Sequence, residues 1–194
     1  MIAPSPSVPA TAALPRLTLV LGGAKSGKST YAERLIEDAI GPRGAGLYVA
    51  TAAAGDAEMA DRIRQHRARR GAHWRTLEEG LALAEALDRE SDEARPILVD
   101  CLTLWLSNLL GAGHDLVLAR RRLTQALKQL KGPVVLVSNE VGQGIVPDNA
   151  LARAFRDHAG ALHQDIAAIA DRVVLVVAGL PLILKDSGAA TVRP

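Results

Sequence analysis

The chain has 194 residues, enough for one domain with a substantial core, and only 3% of them are aromatic. A formal net charge of +2 is too small to indicate a nucleic-acid partner or an acidic membrane surface. The single cysteine excludes an internal disulfide and a cysteine-based zinc cluster, and it fits a reducing cytoplasm. Because no apolar run approaches the length of a membrane span, we expect no transmembrane segment.

The chain begins with a segment unlike the rest. Residues 1–15 are rich in Pro, Ala and Ser, and they lack the charged start and continuous apolar stretch of a signal peptide. We therefore expect a disordered tail at 1–15, one domain at 16–186 and a second tail at 187–194.

The first predicted strand begins at Leu17 and leads into a glycine-rich turn and a helix at 28–40. The turn has the spacing G-x-x-x-x-G-K-S of a phosphate-binding P-loop, in the strand–loop–helix context that this motif requires. Glycines let successive N–H groups curl around phosphate oxygens, and the helix adds its positive N-terminal end. A simple glycine turn is the disfavoured alternative. The predicted nucleoside triphosphate site comprises Gly22, Gly23, Ala24, Lys25, Ser26, Gly27, Lys28 and Ser29.

Two P-loop side chains have distinct expected roles. Lys28 would bring its ammonium group to the β- and γ-phosphates, and the Ser29 hydroxyl would bind Mg²⁺. The predicted strand at 45–50 then leads into Thr51, which is either a site residue at the ligand edge of the sheet or a turn threonine.

Residues 56–70 form a predicted helix with a basic face. Arg62, His66 and Arg70 are spaced four apart, and Arg69 lies beside them. In isolation, a solvated surface is the favoured interpretation. The alternative is that guanidinium groups hold a triphosphate while neutral His66 attacks its α-phosphorus, expelling pyrophosphate.

The next segments contain two candidate carboxylates. Thr76 and Glu79 have the spacing of a capping box before a helix that continues to Leu87, while Glu78 could recognise a base or sugar. A buried strand at 96–100 ends in Asp100, either the second Mg²⁺ determinant of a P-loop protein or a helix cap.

The remaining chain continues the alternation of helices and strands. Helices are predicted at 102–110, 115–131 and 150–171, and the first of them is expected to form core or subunit contacts. Strands are predicted at 133–138 and 172–178, with a possible edge strand at 182–185. The loop at 139–149 contains two glycines and a proline, which favours a shaped loop over the site. This alternation predicts an α/β fold with a mainly parallel sheet, helices on both faces and the functional loops at one edge.

With these segments in hand, the sequence resembles the bifunctional adenosylcobinamide kinase/adenosylcobinamide-phosphate guanylyltransferases of cobalamin biosynthesis. The resemblance is collinear from about Leu17 to Lys185, and the chain departs from the family pattern at Lys25, Gln143 and His163, where arginine, an apolar residue and asparagine are usual. The matching pieces are GGAKSGKS at Gly22, YVATA at Tyr48, EMADRIRQHRARR at Glu58, HWRTLE at His73, LVDCLTLWLSNLL at Leu98, SNEVGQGIVPDNALARAFRDHAG at Ser138 and VVLVVAGLPLILK at Val173.

The resemblance implies a RecA-like P-loop fold, commonly assembled as a trimer. It implies that the aminopropanol hydroxyl of adenosylcobinamide is phosphorylated with ATP or GTP, with GTP then donating GMP to that phosphate, giving adenosylcobinamide-GDP and pyrophosphate. The family's guanylylated histidine falls on His66. Its nucleotide contacts fall on Gly22 to Ser29, Ala50, Thr51, Ala52, Arg67, Ala68, Arg69, Arg70, Glu78 and Asp100.

Two other functions remain as alternatives. One is an ordinary small-molecule P-loop kinase without a covalent nucleotide intermediate, from which the basic helix around His66 would distinguish this chain. The other is a RecA-like nucleotide switch or an ATPase stimulated by nucleic acid, which the low aromatic content and small net charge disfavour.

Overall fold

The computed structural model describes residues 14–42, 44–52, 71 and 73–187, which form a seven-stranded sheet covered by helices. The strands are β1 (Leu17–Gly22), β2 (Gly46–Ala50), β3 (Trp74–Glu78), β4 (Ile97–Asp100), β5 (Val134–Asn139), β6 (Arg172–Val177) and β7 (Leu180–Asp186). The helices are α1 (Lys28–Ile40), α2 (Leu83–Glu90), α3 (Leu102–Gly111), α4 (Leu116–Lys128) and α5 (Ala150–Ile169).

The strand order in the sheet is β3-β2-β4-β5-β1-β6-β7. Strands β1 to β6 are parallel to one another, and β7 runs antiparallel to β6. The carboxyl ends of the six parallel strands therefore meet at one edge, with β1 near the middle of the sheet. This arrangement confirms the predicted mainly parallel sheet.

Helices cover both faces of the sheet, as predicted. On one face, helices α2 to α5 bury apolar side chains such as Leu106 and Leu123 against the strands. On the other face, α1 packs Ala32 and Ile36 against strand residues such as Val20. The sequence did not decide whether the helix at 102–110 packs in the core or against another subunit. In the structure this helix, α3, packs in the core.

Strand β3 corrects the interpretation of the segment after residue 73. Thr76 does not cap a helix; it lies in the middle of β3, which pairs in parallel with β2. Glu79 does act near a helix start, because its Oε1 accepts the N–H groups of Leu81 (2.9 Å) and Ala82 (2.8 Å) just before α2.

Several element ends differ from expectation. Helix α4 runs from its N-cap Asp115 only to Lys128, and the N–H of Lys131 donates to Ser91 Oγ (2.7 Å) instead of continuing the helix. Asp186 belongs to β7, and its Oδ2 accepts hydrogen bonds from Arg172 Nε (3.1 Å) and Nη2 (2.9 Å). Residues 1–13, 188–194 and the predicted helix at 56–70 lie outside the described residues. Within the described ranges, no helix is long and apolar enough to cross a membrane.

Candidate active site

The P-loop closes tightly on itself at the end of β1. A Cβ atom on Gly22 would lie 2.4 Å from Ser26 Oγ and 2.6 Å from the backbone oxygen of Val176, so only glycine fits there. Lys25 (φ 56°) and Gly27 (φ 94°) have left-handed backbone conformations that turn the chain back toward α1. The loop is therefore a preformed concave backbone surface of the kind that binds phosphate.

The positive end of α1 faces the same loop. Gly27 precedes the helix and has no side chain to cap it, and the first turn contains no acidic residue. The first helix hydrogen bond runs from Tyr31 N–H to Gly27 O (2.9 Å), so the preceding helix amides are available to an anion. Lys28 is buried, and its Nζ donates to Gly23 O at 3.2 Å, which places the ammonium group inside the loop.

A turn from the other end of the chain supports the P-loop. Ala178 (φ 52°) and Gly179 (φ 80°) connect β6 to β7 with two successive positive φ angles, as in a tight hairpin. The N–H of Gly179 donates to Ser26 O at 2.8 Å. The sequence interpretation missed this support, although a glycine between two apolar runs is a hairpin signal.

Asp100, Ala50 and Glu78 lie side by side at the carboxyl edge. Asp100 pairs in register with Ala50, which pairs on its other side with Glu78. The hydroxyl of Tyr48 donates to Asp100 Oδ2 at 2.7 Å and orients the carboxylate. Strand β5 alone separates β4 from β1, so Asp100 lies about 10 Å along the edge from the P-loop strand.

Thr51 is fully buried and takes part in the local backbone structure. Its hydroxyl donates to Cys101 O (2.7 Å) and accepts from Cys101 N–H (2.8 Å), its N–H donates to Asp100 O, and its carbonyl accepts from Asn108. The sequence left open whether Thr51 is a site residue or a turn threonine, and these bonds favour the structural role. The neighbouring Ala52 is the last residue described before the gap at 53–70.

Cys101 is not a candidate nucleophile. Its thiol is buried, and burial, followed by the charge of Asp100, raises the thiol pKa. Its sulfur lies 3.1 Å from Thr103 Oγ1, which also accepts a hydrogen bond from Asn139 Nδ2 at 3.0 Å. Cys101 and Thr103 thus help to fix the end of β5 beside the P-loop.

A second polar group, which the sequence interpretation did not assign, lies after β5. The N–H of Glu140 donates to Gly22 O at 3.0 Å, so Glu140 directly adjoins the P-loop. Oε2 of Glu140 lies 3.9 Å from Nδ1 of His163, whose Nε2 is 2.7 Å from Ser138 Oγ. Burial lowers the pKa of His163, which favours its neutral form. A signal was available: three polar residues, Ser138 to Glu140, follow the apolar run of residues 133–137.

The predicted basic residues are not among those described. His66, Arg67, Ala68, Arg69 and Arg70 all lie outside the described residues. Among the residues that are described, no group of three or more metal-binding side chains is present.

Comparison with protein-family models gives a match over residues 18–184 to the family described as cobinamide kinase / cobinamide phosphate guanyltransferase. The bifunctional adenosylcobalamin biosynthesis protein CobP of Pseudomonas aeruginosa is 54% identical over 172 residues, covering 86% of this chain and 96% of the relative. The bifunctional adenosylcobalamin biosynthesis protein CobU of Salmonella typhimurium is 44% identical over 186 residues, covering 87% of this chain and 99% of the relative.

Solved structures with the same fold are more distant in sequence. A solved ATPase domain shares 12% identity with a TM-score of 0.51, covering 91% of this chain and 78% of that one. The flagellar accessory protein FlaH from Methanocaldococcus jannaschii shares 13% identity with a TM-score of 0.51, covering 89% and 80%. The fold is therefore the RecA-like P-loop fold.

Proposed function

The chain belongs to the cobinamide kinase / cobinamide phosphate guanyltransferase family. Because this family carries out two reactions, we propose which residues of the chain act in each of them. The enzyme phosphorylates the aminopropanol hydroxyl of adenosylcobinamide with ATP or GTP, and then transfers GMP from GTP to the new phosphate. A monofunctional kinase or a nucleotide switch is disfavoured, because the curated relatives are named as bifunctional proteins.

The observation that carries the kinase assignment is the closed loop at 22–29. Its backbone leaves no room for a side chain at Gly22, and it encloses Lys28 beside the N-terminus of α1. This geometry supports binding of the β- and γ-phosphates by backbone amides and one ammonium group. Fixed phosphates then present the γ-phosphorus to the substrate hydroxyl for in-line attack.

We assign Mg²⁺ to Ser29 and Asp100. One hydroxyl and one carboxylate suit an ion that keeps several waters and binds nucleotide phosphates, and the Tyr48 hydroxyl already orients the carboxylate. When bound, Mg²⁺ would neutralise charge on the phosphate oxygens. Ser29 is partly exposed in the first turn of α1, where its hydroxyl can contribute to such a site.

For the second reaction we assign His66 as the nucleophile. A neutral imidazole nitrogen attacks the α-phosphorus of GTP, the bond to the β-phosphate oxygen breaks, and pyrophosphate leaves. A phosphate oxygen of the phosphorylated substrate then displaces the imidazole. Arg67, Arg69 and Arg70 would stabilise the developing negative charge.

The family resemblance supports this assignment of His66. Ala50 is the last residue of β2 and lies at the carboxyl edge, between Glu78 and Asp100. Ala52 follows it two residues later. We propose nucleotide contacts from these four residues and from Arg67, Ala68, Arg69 and Arg70.

Product analysis tests the proposed sequence of reactions. Adenosylcobinamide incubated with ATP and Mg²⁺ should give its phosphate, and subsequent GTP should give adenosylcobinamide-GDP and pyrophosphate. Lys28→Ala should lower the kinase rate by about 10²-fold or more because one charged phosphate contact is lost. Lys128→Ala, on the exposed surface of α4, is the matched control. Wild-type protein that forms neither product would contradict the proposal.

We further propose that β7 joins copies of the chain into a homotrimer. Leu180, Leu182, Ile183 and Leu184 are each more than half exposed on this edge strand. Such an apolar edge is a typical site of self-association. Sedimentation should give a trimeric mass that Leu182→Asp reduces, whereas Val117→Asp on α4 should leave it unchanged; a monomeric wild type would contradict the proposal.

A further inference from the structure

The kinase reaction needs a group that accepts the proton of the attacking hydroxyl. Neither the backbone amides of the P-loop nor the Lys28 ammonium group can do so, because they are hydrogen-bond donors. Protein kinases use a carboxylate for this purpose. Three carboxylates, those of Glu78, Asp100 and Glu140, lie at the carboxyl edge of parallel strands β3, β4 and β5.

Their distance from the P-loop differs because the strands are spaced about 4.8 Å apart. Glu78 is on β3, four strands from β1, and Asp100 is on β4, two strands from β1. Glu140 follows the strand that pairs directly with β1, and its N–H donates to Gly22 O at 3.0 Å. Of the three, Glu140 is thus held closest to the start of the phosphate-binding loop.

Each oxygen of the Glu140 carboxylate also has a neighbouring group that helps to fix its orientation. Oε1 accepts the N–H of Gly142 at 2.6 Å, and Oε2 faces His163 Nδ1 at 3.9 Å. His163 is itself held at Nε2 by fully buried Ser138, 2.7 Å away. The Glu140 side chain remains 24% exposed, so a substrate hydroxyl can reach it.

On these contacts, and on the proposed kinase reaction at this P-loop, we propose that Glu140 is the general base of that reaction and that His163 is its positioning residue. The hydroxyl oxygen bonds to the γ-phosphorus while its proton passes to a Glu140 oxygen. The bond from the γ-phosphorus to the β–γ bridging oxygen breaks, and the nucleoside diphosphate leaves with that electron pair. Glu140 then releases the proton to water.

The decisive experiment separates the two reactions of the intact enzyme. E140Q keeps the size of the side chain but removes its basicity, so the kinase kcat should fall by about 10²- to 10⁴-fold. Transfer of GMP to adenosylcobinamide phosphate supplied ready-made should remain within about twofold, because that reaction requires no proton from the hydroxyl. Glu93→Gln, an exposed carboxylate between α2 and β4, is the matched control.

Each result has a definite meaning. Equal loss of both reactions, or no loss of either, would overturn the assignment of Glu140. A wild-type enzyme without kinase activity would instead reject the proposed function, so the two failures are distinguishable. Unchanged binding of ATP by E140Q verifies that the nucleotide site has survived the substitution.

The positioning role of His163 has its own test. H163A should lower the kinase kcat with the KM values for both substrates unchanged, and it should leave GMP transfer intact. H163N should restore much of the rate, because an amide can donate to Glu140 and bond to Ser138. Lack of rescue by H163N, or an equal effect on GMP transfer, would show that His163 has only a structural role.

Discussion

The phosphate-binding loop and the acidic groups beside it share one sheet edge but are constructed differently. The loop is formed by backbone: Gly22 and Gly27 provide the curvature, because neither position accepts a side chain without strain. Asp100 and Glu140 are side chains whose orientation depends on distant partners, Tyr48 and His163 respectively. A backbone site tolerates almost no change in shape, whereas a side-chain site is tuned by each partner separately.

The largest effect should come from a change in the backbone loop. Gly22→Ala would place a Cβ atom 2.6 Å from the Val176 oxygen, so the loop must open, at a cost of about 1–3 kcal/mol in stability. We expect ATP and GTP binding to fall below detection by calorimetry. Gly160→Ala in α5, where a Cβ meets no atom within 4 Å, should bind normally and raise Tm. Normal nucleotide affinity in Gly22→Ala would contradict the backbone account.

A side-chain partner should have an intermediate effect. Tyr48→Phe removes the hydrogen bond to Asp100 and should raise the Mg²⁺ concentration for half-maximal kinase rate by about tenfold, with little change at saturating Mg²⁺. Tyr31→Phe is the matched control, since these are the two tyrosines of the chain. An unchanged Mg²⁺ dependence in Tyr48→Phe would mean that the orientation of Asp100 does not matter.

The smallest effect should be a pH dependence of stability. Burial lowers the pKa of His163 in the folded protein. Below about pH 6.5 the unfolded chain therefore binds more protons than the folded protein does, and the free energy of unfolding decreases as the pH is lowered. In H163N, Tm should fall less between pH 7 and pH 5 than in the wild type. Replacing exposed His114 by asparagine should not change the slope. Parallel Tm curves for wild type and H163N would contradict the buried neutral ring.

The same contrast explains what the sequence could predict. The P-loop and the order of strands and helices were predictable, because both depend on local backbone demands and apolar periodicity. Strand β3 was not, because it is an edge strand whose Arg75 and Glu78 are exposed, and Thr76 and Glu79 imitate a helix cap. Pairing with β2 outweighed that local signal.

The side-chain partners of the site were also beyond local sequence. Glu140 and His163 lie on different elements, and only the packing of α5 against the sheet brings them together. The bond between Tyr48 and Asp100 likewise depends on the adjacency of β2 and β4. Lys28 and Asp100 could be proposed from motif and strand position; their orienting partners could not.

In the proposed reactions, the glycine loop serves phosphoryl transfer and His66 serves nucleotidyl transfer. The most direct measurement is incubation with α-labelled GTP and Mg²⁺, followed by acid or alkali. We expect protein-bound label that acid removes and alkali does not, lost in His66→Ala and retained in His114→Ala, with all proteins folded by circular dichroism. Undiminished labelling of folded His66→Ala would contradict the account.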